Sequence, residues 1–522
     1  MRGWTVLPLA GACAASAGLS GAAQNGVAPG WLALVGFVPM LTVVRPERPA
    51  HTGAVLALTY FLFSLLTIHW VRFFGANFLW AVPLAAAYGA AFMMIPSVGC
   101  LGAYAARSRD GGLLMLPACW MLAEMGQRRA SLGLTWALAG QPLADWPVLS
   151  QAAALAGPES LSFLVLATNV SLALWLRRCS RWSRLAALAQ GPGLLVLAAV
   201  WGAQHDGAAA HADANDSIDV AVIQPNASAA MKQDLSQRGD LLEHYDRLVN
   251  RTLGESPQLI VLPEGALPGL VRYDDGLTDW ARSTVIRTGL PLLFGSIDHP
   301  EGEAQRLFNV AVLITPYNTV ATYAKTRLVP LAEYVPAPGP LRSWASALRG
   351  DLVDYAPGEE LTLFELGESV RFGVMICYED VFADLGRAYA NAGATMLVAL
   401  VNTQSFDRSA QPLQHLRRAR LTAISAGLPM IRCGNSGVSA MIDPYGRIRG
   451  TVRDALGRPV GVPAARVLTV PLTARATTYR RLGDGPIAIM VGLYAIMILV
   501  ARRRMGHPAV STESLLIPRP SE

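Results

Sequence analysis

The sequence predicts a bundle of about eight membrane-spanning helices joined to an α/β sandwich domain. Three observations support this fold class. Charged residues make up only 15% of the 522 residues, against about 25% in soluble domains. Long apolar runs fill the first 205 residues and return near the C-terminus, whereas short β-branched runs alternate with polar helical stretches between them. This composition excludes a disordered chain, a disulfide-rich secreted scaffold and an ordinary cytosolic enzyme.

A helix needs about 20 residues to cross a bilayer. The sequence contains seven apolar runs near this length before the polar domain and one after it. Residues 1–205 therefore form a predicted transmembrane domain of about seven helices. The predicted spans are 5–23, 30–44, 52–71, 79–105, 111–125, 160–176, 185–203 and 486–501. The segment 130–158 contains Trp and Pro residues, and we expect it to be re-entrant or interfacial.

Arginines in the predicted loops give the orientation, because cytoplasmic loops carry the excess of positive charge. With a cytoplasmic N-terminus, twelve arginines lie inside and three outside. The inside residues are Arg2, Arg45, Arg48, Arg107, Arg109, Arg177, Arg178, Arg181, Arg184, Arg502, Arg503 and Arg504; the outside residues are Arg72, Arg128 and Arg129. Both termini are then cytoplasmic, the tail 505–522 included, and the α/β domain lies outside the cytoplasm.

A cleaved signal peptide over residues 1–24 is the alternative for the first span. Arg2, the following apolar run and the small residues Ala22 and Ala23 fit that pattern. Removal of this helix would reverse the side on which each later loop lies, and the arginine excess would no longer be cytoplasmic.

The net charge of +6 belongs to the apolar ends, because residues 206–485 carry 27 basic and 30 acidic residues, net −3. The basic pI is therefore no indication of nucleic-acid binding.

The α/β domain is predicted over residues 216–475. Its nearly continuous apolar strands indicate sheets covered on both faces. The predicted strands are 218–224, 258–263, 291–297, 308–315, 371–377, 396–401, 429–433, 437–443 and 466–471, and the predicted helices are 233–253, 275–288, 381–392 and 410–426.

Three predicted strand ends carry reactive side chains: Glu264, Lys325 and Cys377. Each alone has an ordinary explanation, since such a Glu is usually solvated, such a Lys exposed and such a Cys part of the core. Together they suit covalent thiol chemistry. A carboxylate can take the thiol proton, and a cation stabilises a thiolate or a tetrahedral oxyanion. Lys325 is one of only two lysines beside 41 arginines, which indicates a need for a compact ammonium.

The six cysteines show no CxxC or Cys/His metal spacing. Cys377 and Cys433 could form an extracytoplasmic disulfide, but nothing in the sequence supports that pair. His415, at the start of a predicted helix, is expected to pack or hydrogen-bond and not to bind metal.

The order Pro263-Glu264, then the run from Tyr323 to Pro336 (YAKTRLVPLAEYVP), then CYED from Cys377 resembles the nitrilase superfamily. With the flanking apolar helices, the whole chain resembles its membrane-embedded branch, the apolipoprotein N-acyltransferases, with a weaker match at Trp120, Glu124 and Arg128. The resemblance implies a nitrilase-like α-β-β-α sandwich and a bacterial inner-membrane enzyme with a periplasmic catalytic domain.

The resemblance also implies roles for individual residues. Glu264 is the general base, Lys325 the oxyanion-stabilising cation and Cys377 the nucleophile. Glu333, Tyr378 and Glu379 match supporting residues of the family, and the Tyr378 amide is a candidate oxyanion donor. Without the resemblance, Glu333 would be a solvated loop carboxylate and Glu379 a favourable charge at a helix N-terminus. No metal or organic cofactor is implied.

Several positions depart from the family pattern. Residues 402–406 read Asn-Thr-Gln-Ser-Phe in place of Asn-Asp-Ala-Trp-Phe, Thr422 and Ser425 replace an Arg and a Glu, and Gln233 replaces a Trp. These changes leave the three reactive residues in place but bear on substrate binding. In the stretch 340–350, Leu341, Trp344 and Leu348 share one helical face, which would either dip into the membrane interface or pack on the domain.

The expected function is acyl transfer from a phospholipid to the N-terminal amine of a diacylglyceryl-Cys lipoprotein, through a thioester on Cys377. The expected partners are therefore a phospholipid donor and a lipoprotein acceptor. Two alternatives remain open: a membrane-tethered amidase that uses water as the acceptor, and a catalytically silent homologue that binds lipoproteins.

Overall fold

The computed structural model describes residues 6–74, 79–105, 109–177, 179–208, 216–269, 274–299, 306–317, 319–336, 342–343, 346, 354–493 and 496. These residues form a helical half and an α/β domain that pack against each other. Leu341, Trp344 and Leu348, and residues 497–522 with the predicted tail, lie outside the described residues.

Apolar helices make up the described part of residues 6–208, which we call the membrane half. Four of the described helices are long and apolar enough to cross a membrane: Pro49–Phe73, Ala81–Gly99, Glu159–Leu176 and Arg181–His205. In full, the helices of this half are Val6–Gln24, Ala33–Gly36, Val38–Val43, Pro49–Ile68, Ala81–Phe92, Met94–Ala105, Arg109–Arg129, Pro147–Ser150, Ala153–Ala156, Glu159–Leu176, Arg181–Leu188 and Leu194–Ala208.

Three of the predicted spans are less regular than the sequence suggested. The span 30–44 is divided into short helices between Gly30 and Val43, and the span 79–105 is interrupted at Met93. The span 185–203 begins earlier, at Arg181, and passes through a π-helical turn at Pro192, where the ring removes a backbone donor. At the C-terminal span, residues 485–493 are helical.

The first helix, Val6–Gln24, is packed into the bundle. Cys13, Ser16 and Ala17 are fully buried, and the Ser16 hydroxyl accepts a hydrogen bond from the amide of Met40. Its last carbonyl oxygens, on Ala23 and Gln24, accept hydrogen bonds from the guanidinium of Arg417 in the α/β domain. These contacts favour a retained helix over a cleaved signal peptide.

The α/β domain contains two six-stranded sheets. The first has the strand order β12-β1-β2-β3-β4-β5 and the second β11-β10-β9-β8-β7-β6. The strands are β1 Ser217–Gln224, β2 Leu259–Val261, β3 Leu292–Asp298, β4 Phe308–Ile314, β5 Val320–Ala324, β6 Leu363–Leu366, β7 Val370–Ile376, β8 Met396–Val401, β9 Met430–Gly434, β10 Ala440–Ile442, β11 Ile448–Thr451 and β12 Ala464–Pro471.

Helices cover the outer faces of the two sheets, which gives four layers. One core lies between the sheets and joins Val222 and Val261 to Val374 and Val398. Outside the first sheet lie the helices Arg238–Asn250 and Asp275–Thr288. Outside the second sheet lie Ala383–Asn391 and Gln411–Ala426, and the membrane half packs on this last layer. The shorter helices of the domain are Ala229–Gln233 and Thr478–Leu482.

The predicted strands and helices are present, with corrections at their ends. The predicted helix 233–253 is two helices, Ala229–Gln233 and Arg238–Asn250, because the side chain of Asp234 caps a short 3-10 turn between them. The sequence missed β5, β6 and β11, whose side chains are partly exposed and therefore show no continuous apolar run.

Candidate active site

The three reactive residues follow three strands at one end of the sandwich. Glu264 lies after β2, Lys325 directly after β5 and Cys377 directly after β7. The first two strands belong to one sheet and the third to the other. The two sheets therefore bring the carboxylate, the ammonium and the thiol together, as the sequence predicted.

Glu264 is held by three donors. Its Oε1 accepts hydrogen bonds from Asn309 Nδ2 at 2.8 Å and from Lys325 Nζ at 3.4 Å, and its Oε2 accepts one from the Asn402 amide at 3.0 Å. The backbone beside it passes so close to β3 that a Cβ on Gly295 would lie 2.6 Å from the Glu264 Cα. Only glycine fits there, and the carboxylate is fixed in position.

Lys325 is paired with two carboxylates in a buried setting, where its side chain is 1% exposed. The Nζ atom lies 2.8 Å from Glu333 Oε1 and 3.4 Å from Glu264 Oε1. Burial alone lowers the pKa of Lys325, but the carboxylates of Glu333 and Glu264 outweigh burial and raise that pKa above its usual value. The side chain is therefore a permanent cation.

Cys377 occupies a strained turn at the end of β7. Its φ angle is +53°, in the left-handed region that non-glycine residues rarely adopt. Its thiol donates a long hydrogen bond to the Asn402 carbonyl oxygen, with 3.9 Å between sulfur and oxygen. Burial and the neighbouring Glu264 carboxylate raise the pKa of the thiol, against the opposing effect of Lys325. At rest the pair is a thiol beside a carboxylate, ready for proton transfer when sulfur attacks.

Glu333 lies against Lys325 and holds it in place. Glu333 binds Lys325 and Asn309 through Oε1 and the Val329 amide through Oε2. It is thus the counter-ion of Lys325, whereas a solvated loop carboxylate would have no such partners.

Glu379 is fully buried and accepts five hydrogen bonds. Its Oε2 binds the Ile376 amide at 2.7 Å, immediately before Cys377. Its Oε1 accepts from the hydroxyl groups of Tyr323 and Thr326 and from the amides of Thr326 and Arg327. Glu379 therefore ties the nucleophile turn to the loop that carries Lys325.

Tyr378 joins the nucleophile turn to the segment 130–158, which we call the seam segment. The Tyr378 hydroxyl donates to the Gly133 carbonyl at 2.8 Å and accepts from the Thr135 amide at 3.2 Å. Its ring is stacked on Trp136, with 6.0 Å between centroids and 12° between planes. The seam segment thus lies directly beside the reactive thiol.

The helix Gln411–Ala426, which we call the seam helix, forms the other side of this junction. Gln414 Oε1 accepts from the indole nitrogens of Trp70 at 2.9 Å and Trp136 at 2.7 Å. His415 Nε2 lies 2.6 Å from an Asp380 carboxylate oxygen and 3.3 Å from the Cys377 carbonyl oxygen. His415 is therefore a hydrogen-bonding residue, as its sequence position suggested.

The weaker family match in the membrane half also lies at this junction. Glu124 accepts hydrogen bonds from Trp120 Nε1 and from the Ala139 amide in the seam segment. Arg128 pairs with Glu159 at 2.7 Å, and with Asp384 and Asp484 at 3.2 and 2.9 Å. These charges fix the membrane helices to the α/β domain.

A cavity of about 1340 Å³ opens above the reactive residues. Its catalytic wall includes Glu264, Lys325, Glu333, Cys377 and Tyr378. Its opposite wall belongs to the membrane half and is mainly apolar: Ile68, Trp80, Ala81, Leu84, Ala85, Tyr88, Leu132, Leu134 and Trp136. One of these residues, Leu84, is 52% exposed and lies on a helix long and apolar enough to cross a membrane.

Sequence reasoning missed three residues at this site. Asn309 bridges Glu264 and Glu333, the amide of Asn402 orients Glu264, and Lys232 lines the cavity. Asn309 lies in an ordinary apolar strand and left no signal. The scarcity of lysine was a signal for Lys232 as well, since it is the other lysine of the chain, but it gave Lys232 no role.

The family departures fall into two groups. Gln404, Ser405 and Phe406 line the cavity, as does Gln233, so those changes touch the substrate space. Thr422 and Ser425 lie on the seam helix, buried away from the thiol, and Ser425 donates to the Ala153 carbonyl of the seam segment.

The described part of the chain contains neither a disulfide bond nor a metal-binding cluster of side chains. Cys377 and Cys433 are free thiols, and Cys433 is buried in the core between the sheets. No group of three His, Cys, Asp or Glu side chains is arranged to hold a metal ion among the residues that the structure describes.

Comparison with known proteins identifies the family. A carbon-nitrogen hydrolase family model matches residues 219–455, and a model for the apolipoprotein N-acyltransferase N-terminal domain matches residues 16–171. The apolipoprotein N-acyltransferase of Bradyrhizobium diazoefficiens is 30% identical over 88% of this chain and 87% of its own length. The chain belongs to the apolipoprotein N-acyltransferase family.

Other relatives agree with this membership. The apolipoprotein N-acyltransferase of Geobacter metallireducens is 27% identical over 92% of this chain and 93% of its own length. The protein is thus a transferase built on a nitrilase-like α/β domain, and its relatives are bacterial. Its apolar helices are those expected of an inner-membrane protein.

Two solved structures are similar to about half of this chain. A carbon-nitrogen hydrolase from Helicobacter pylori G27 has 15% identity and a TM-score of 0.38, and covers 56% of this chain and 98% of its own. An amidase from Nesterenkonia sp. has 18% identity and a TM-score of 0.36, and covers 52% of this chain and 96% of its own.

Proposed function

We propose that this apolipoprotein N-acyltransferase moves an acyl chain from a phospholipid to the α-amine of a diacylglyceryl-Cys lipoprotein through a thioester on Cys377. One observation carries the proposal: the Cys377 thiol and the Glu264 carboxylate line one cavity, whose opposite wall is built from apolar helices of the membrane half. That wall suits acyl chains, whereas a small soluble amide would need no such surface.

The first half-reaction forms the thioester. Glu264 takes the proton of the Cys377 thiol as sulfur attacks the ester carbonyl carbon. The resulting oxyanion is stabilised by the ammonium of Lys325 and by the backbone amide of Tyr378. When the intermediate collapses, the carbon–oxygen bond to glycerol breaks, and the glycerol oxygen takes the proton from Glu264. A lysophospholipid leaves.

The second half-reaction forms the amide. The neutral α-amine attacks the thioester carbonyl, and Glu264 takes a proton from the attacking nitrogen. The carbon–sulfur bond then breaks, the Cys377 sulfur regains the proton from Glu264, and the N-acylated lipoprotein leaves. Glu333 and Asn309 keep Lys325 and Glu264 in place through both steps.

We propose that Glu264, Lys325 and Cys377 are the catalytic residues, supported by Glu333, Tyr378 and Glu379. We further propose that the catalytic domain is periplasmic and both termini are cytoplasmic. The helix Pro49–Ile68 supports this, because its C-terminal end leads to Trp70, which contacts the seam helix. Arg45 and Arg48, at the other end of that helix, therefore lie on the side away from the catalytic domain.

Intact-protein mass spectrometry tests this proposal. Wild-type protein incubated with a phospholipid should gain the mass of one acyl chain, and hydroxylamine should remove it. Cys377→Ala should gain nothing. An adduct of equal amount on Cys377→Ala, or none on the wild type, would overturn the proposed mechanism.

A further inference from the structure

The second lysine of the chain, Lys232, faces the same cavity as the reactive residues. It lies on the short helix Ala229–Gln233, whose first turn is capped by the Ser228 hydroxyl. Every other basic residue outside Lys325 is an arginine. The cavity therefore holds two ammonium groups, and only one of them has a role in the mechanism proposed above.

The surroundings of the two ammonium groups differ. Lys325 is held by two carboxylates, whereas the buried Lys232 Nζ has no hydrogen-bond partner among the described residues. Burial lowers the pKa of Lys232 to about 8, and Glu264 opposes that shift without a direct contact. A buried cation without a partner is unfavourable, so an anion that enters the cavity is stabilised by pairing with it.

The nearby carboxylates are already engaged and do not supply that anion. Both oxygens of Glu264 accept hydrogen bonds, from Lys325, Asn309 and the Asn402 amide. Both oxygens of Glu333 are likewise engaged. Among the residues that the structure describes, no carboxylate contacts the Lys232 ammonium, so an anionic group of a substrate that enters the cavity can pair with it.

We propose that Lys232 binds the phosphodiester of the acyl donor. This inference rests on the proposed function, and it names the feature by which the site would distinguish a phospholipid from a neutral lipid. In a glycerophospholipid, the ester oxygen, the glycerol carbons and one phosphate oxygen separate the ester carbonyl carbon from the phosphorus, so the two groups are held close together. A cation in the same cavity as the Cys377 thiol is therefore within the region where the phosphate of a reacting lipid lies. Lysine binds phosphate as a compact point charge.

Two donors with the same acyl chains test the assignment. The full-length protein in neutral detergent micelles is given phosphatidylglycerol or diacylglycerol, and the rate of thioester formation is measured by mass spectrometry. The wild type should prefer phosphatidylglycerol. Lys232→Met should lower its rate about 10- to 100-fold, which is the worth of one hydrogen bond to a charged group. The rate with diacylglycerol should not change.

Two further variants serve as controls. Lys232→Arg retains a positive charge and should keep more of the preference than Lys232→Met. Arg247→Met removes an exposed positive charge elsewhere on the domain, where Arg247 pairs only weakly with Glu243, and should keep the whole preference. Loss of preference in Arg247→Met would assign the effect to general attraction between charges and overturn the subsite.

The outcomes separate this inference from the proposed function. Suppose that the wild type forms a thioester and that Lys232→Met lowers the rate of thioester formation equally with both donors, or with neither. The subsite is then wrong, while the acyl-transfer proposal stands. If the wild type forms no thioester from either lipid, the proposed function itself is wrong. Added inorganic phosphate should leave the wild-type preference intact. A preference abolished by it would place free phosphate, and not the lipid, at Lys232.

Discussion

The reactive cluster and the seam between the two halves of the molecule are held together by different forces. Around Glu264, Lys325 and Glu333, opposite charges meet in a buried setting. At the seam, the ring of Trp136 stacks on Tyr378 and its indole N–H donates to Gln414, and the Arg128–Asp384 ion pair is added to these neutral contacts. Charge fixes the groups that react, whereas aromatic packing and neutral hydrogen bonds are added to ion pairs at the wall that receives the lipid.

This difference leads to different expectations for mutation. Changes in the charged cluster should affect the chemical steps for every substrate, because the reacting groups are the same. Changes at the seam should affect long-chain lipids most, because only they use the membrane wall of the cavity. The predictions below run from the largest expected effect to the smallest.

Lys325→Met should give the largest loss. It removes the cation that stabilises the oxyanion and leaves two buried carboxylates unpaired. Thioester formation should therefore fall about 10³-fold or more, and the free energy of unfolding should fall by about 3–5 kcal/mol.

The contribution of Lys325 to stability should depend on pH. Because the pKa of Lys325 is raised in the folded protein, its contribution to the free energy of unfolding is complete below about pH 10.4 and is lost as pH rises through the folded pKa. Acylation rates and unfolding at several pH values check both expectations. A variant with normal acylation would remove Lys325 from the mechanism.

Glu379→Gln should cost less, because the residue positions the turn without touching substrate. The new amide NH₂ would face either the Ile376 amide or the cluster of donors at Tyr323, Thr326 and Arg327. One buried donor left unsatisfied costs about 1–3 kcal/mol, and we expect the activation free energy of acylation to rise by a similar amount.

The matched control for this variant is Glu365→Gln, an exposed residue of β6. Acylation should fall about 10- to 100-fold for Glu379→Gln, equally for lipid and short-chain esters, while the control is unchanged. A loss of rate with lipids alone would contradict this expectation and would show that Glu379 supports lipid binding, as the seam residues do.

The donor preference should depend on pH through Lys232. The ratio of kcat/KM for phosphatidylglycerol to that for diacylglycerol cancels the titration of groups common to both reactions. Because the pKa of Lys232 in the free enzyme is about 8, the ratio should be constant below that pH and fall by up to tenfold per unit above it. Lys232→Met should show a flat ratio. A wild-type ratio that rises with pH would contradict a role for the ammonium form.

Gln414→Leu should have the smallest catalytic effect and the most selective one. It leaves the indole N–H groups of Trp70 and Trp136 without their acceptor, at about 1–3 kcal/mol of unfolding free energy for each buried group. KM for phospholipid should rise several-fold, while the rate with a short soluble ester should remain near that of the wild type.

The control for the seam variant is Gln258→Leu, which loses one exposed hydrogen bond to the Asp219 amide. It should match the wild type in both assays. Equal losses with lipid and soluble ester in Gln414→Leu would show that the seam supports the chemistry and not only the lipid wall.

Much of the site could be predicted from sequence because of its local patterns. Glu264 follows a predicted strand and Cys377 ends one, and Lys325 was marked by the scarcity of lysine and by the surrounding run YAKTRLVPLAEYVP. The seam was not predictable, because Trp136 and Gln414 belong to separate apolar segments whose contact depends on how helices pack. Asn309 was missed for a related reason: its role follows from the antiparallel pairing of β4 with β3 and β5.

The edges of the elements were the weakest part of the sequence reading. The strands β5, β6 and β11 have exposed positions that hide their pattern. The break at Asp234 depends on side-chain capping, and the π-helical turn at Pro192 on packing within the bundle. The class of fold came from hydropathy, which sums over many residues, and is therefore less sensitive to such local effects.

A single-turnover chase tests the central claim most directly. Acyl-enzyme formed on wild-type protein is freed of phospholipid and mixed with a diacylglyceryl-Cys peptide, and both species are followed by mass spectrometry. The account predicts that the acyl mass leaves Cys377 and appears on the peptide amine at the same rate, and that the adduct persists without peptide. An adduct that decays to free fatty acid at one rate with or without peptide would show that water is the acceptor and would contradict acyl transfer.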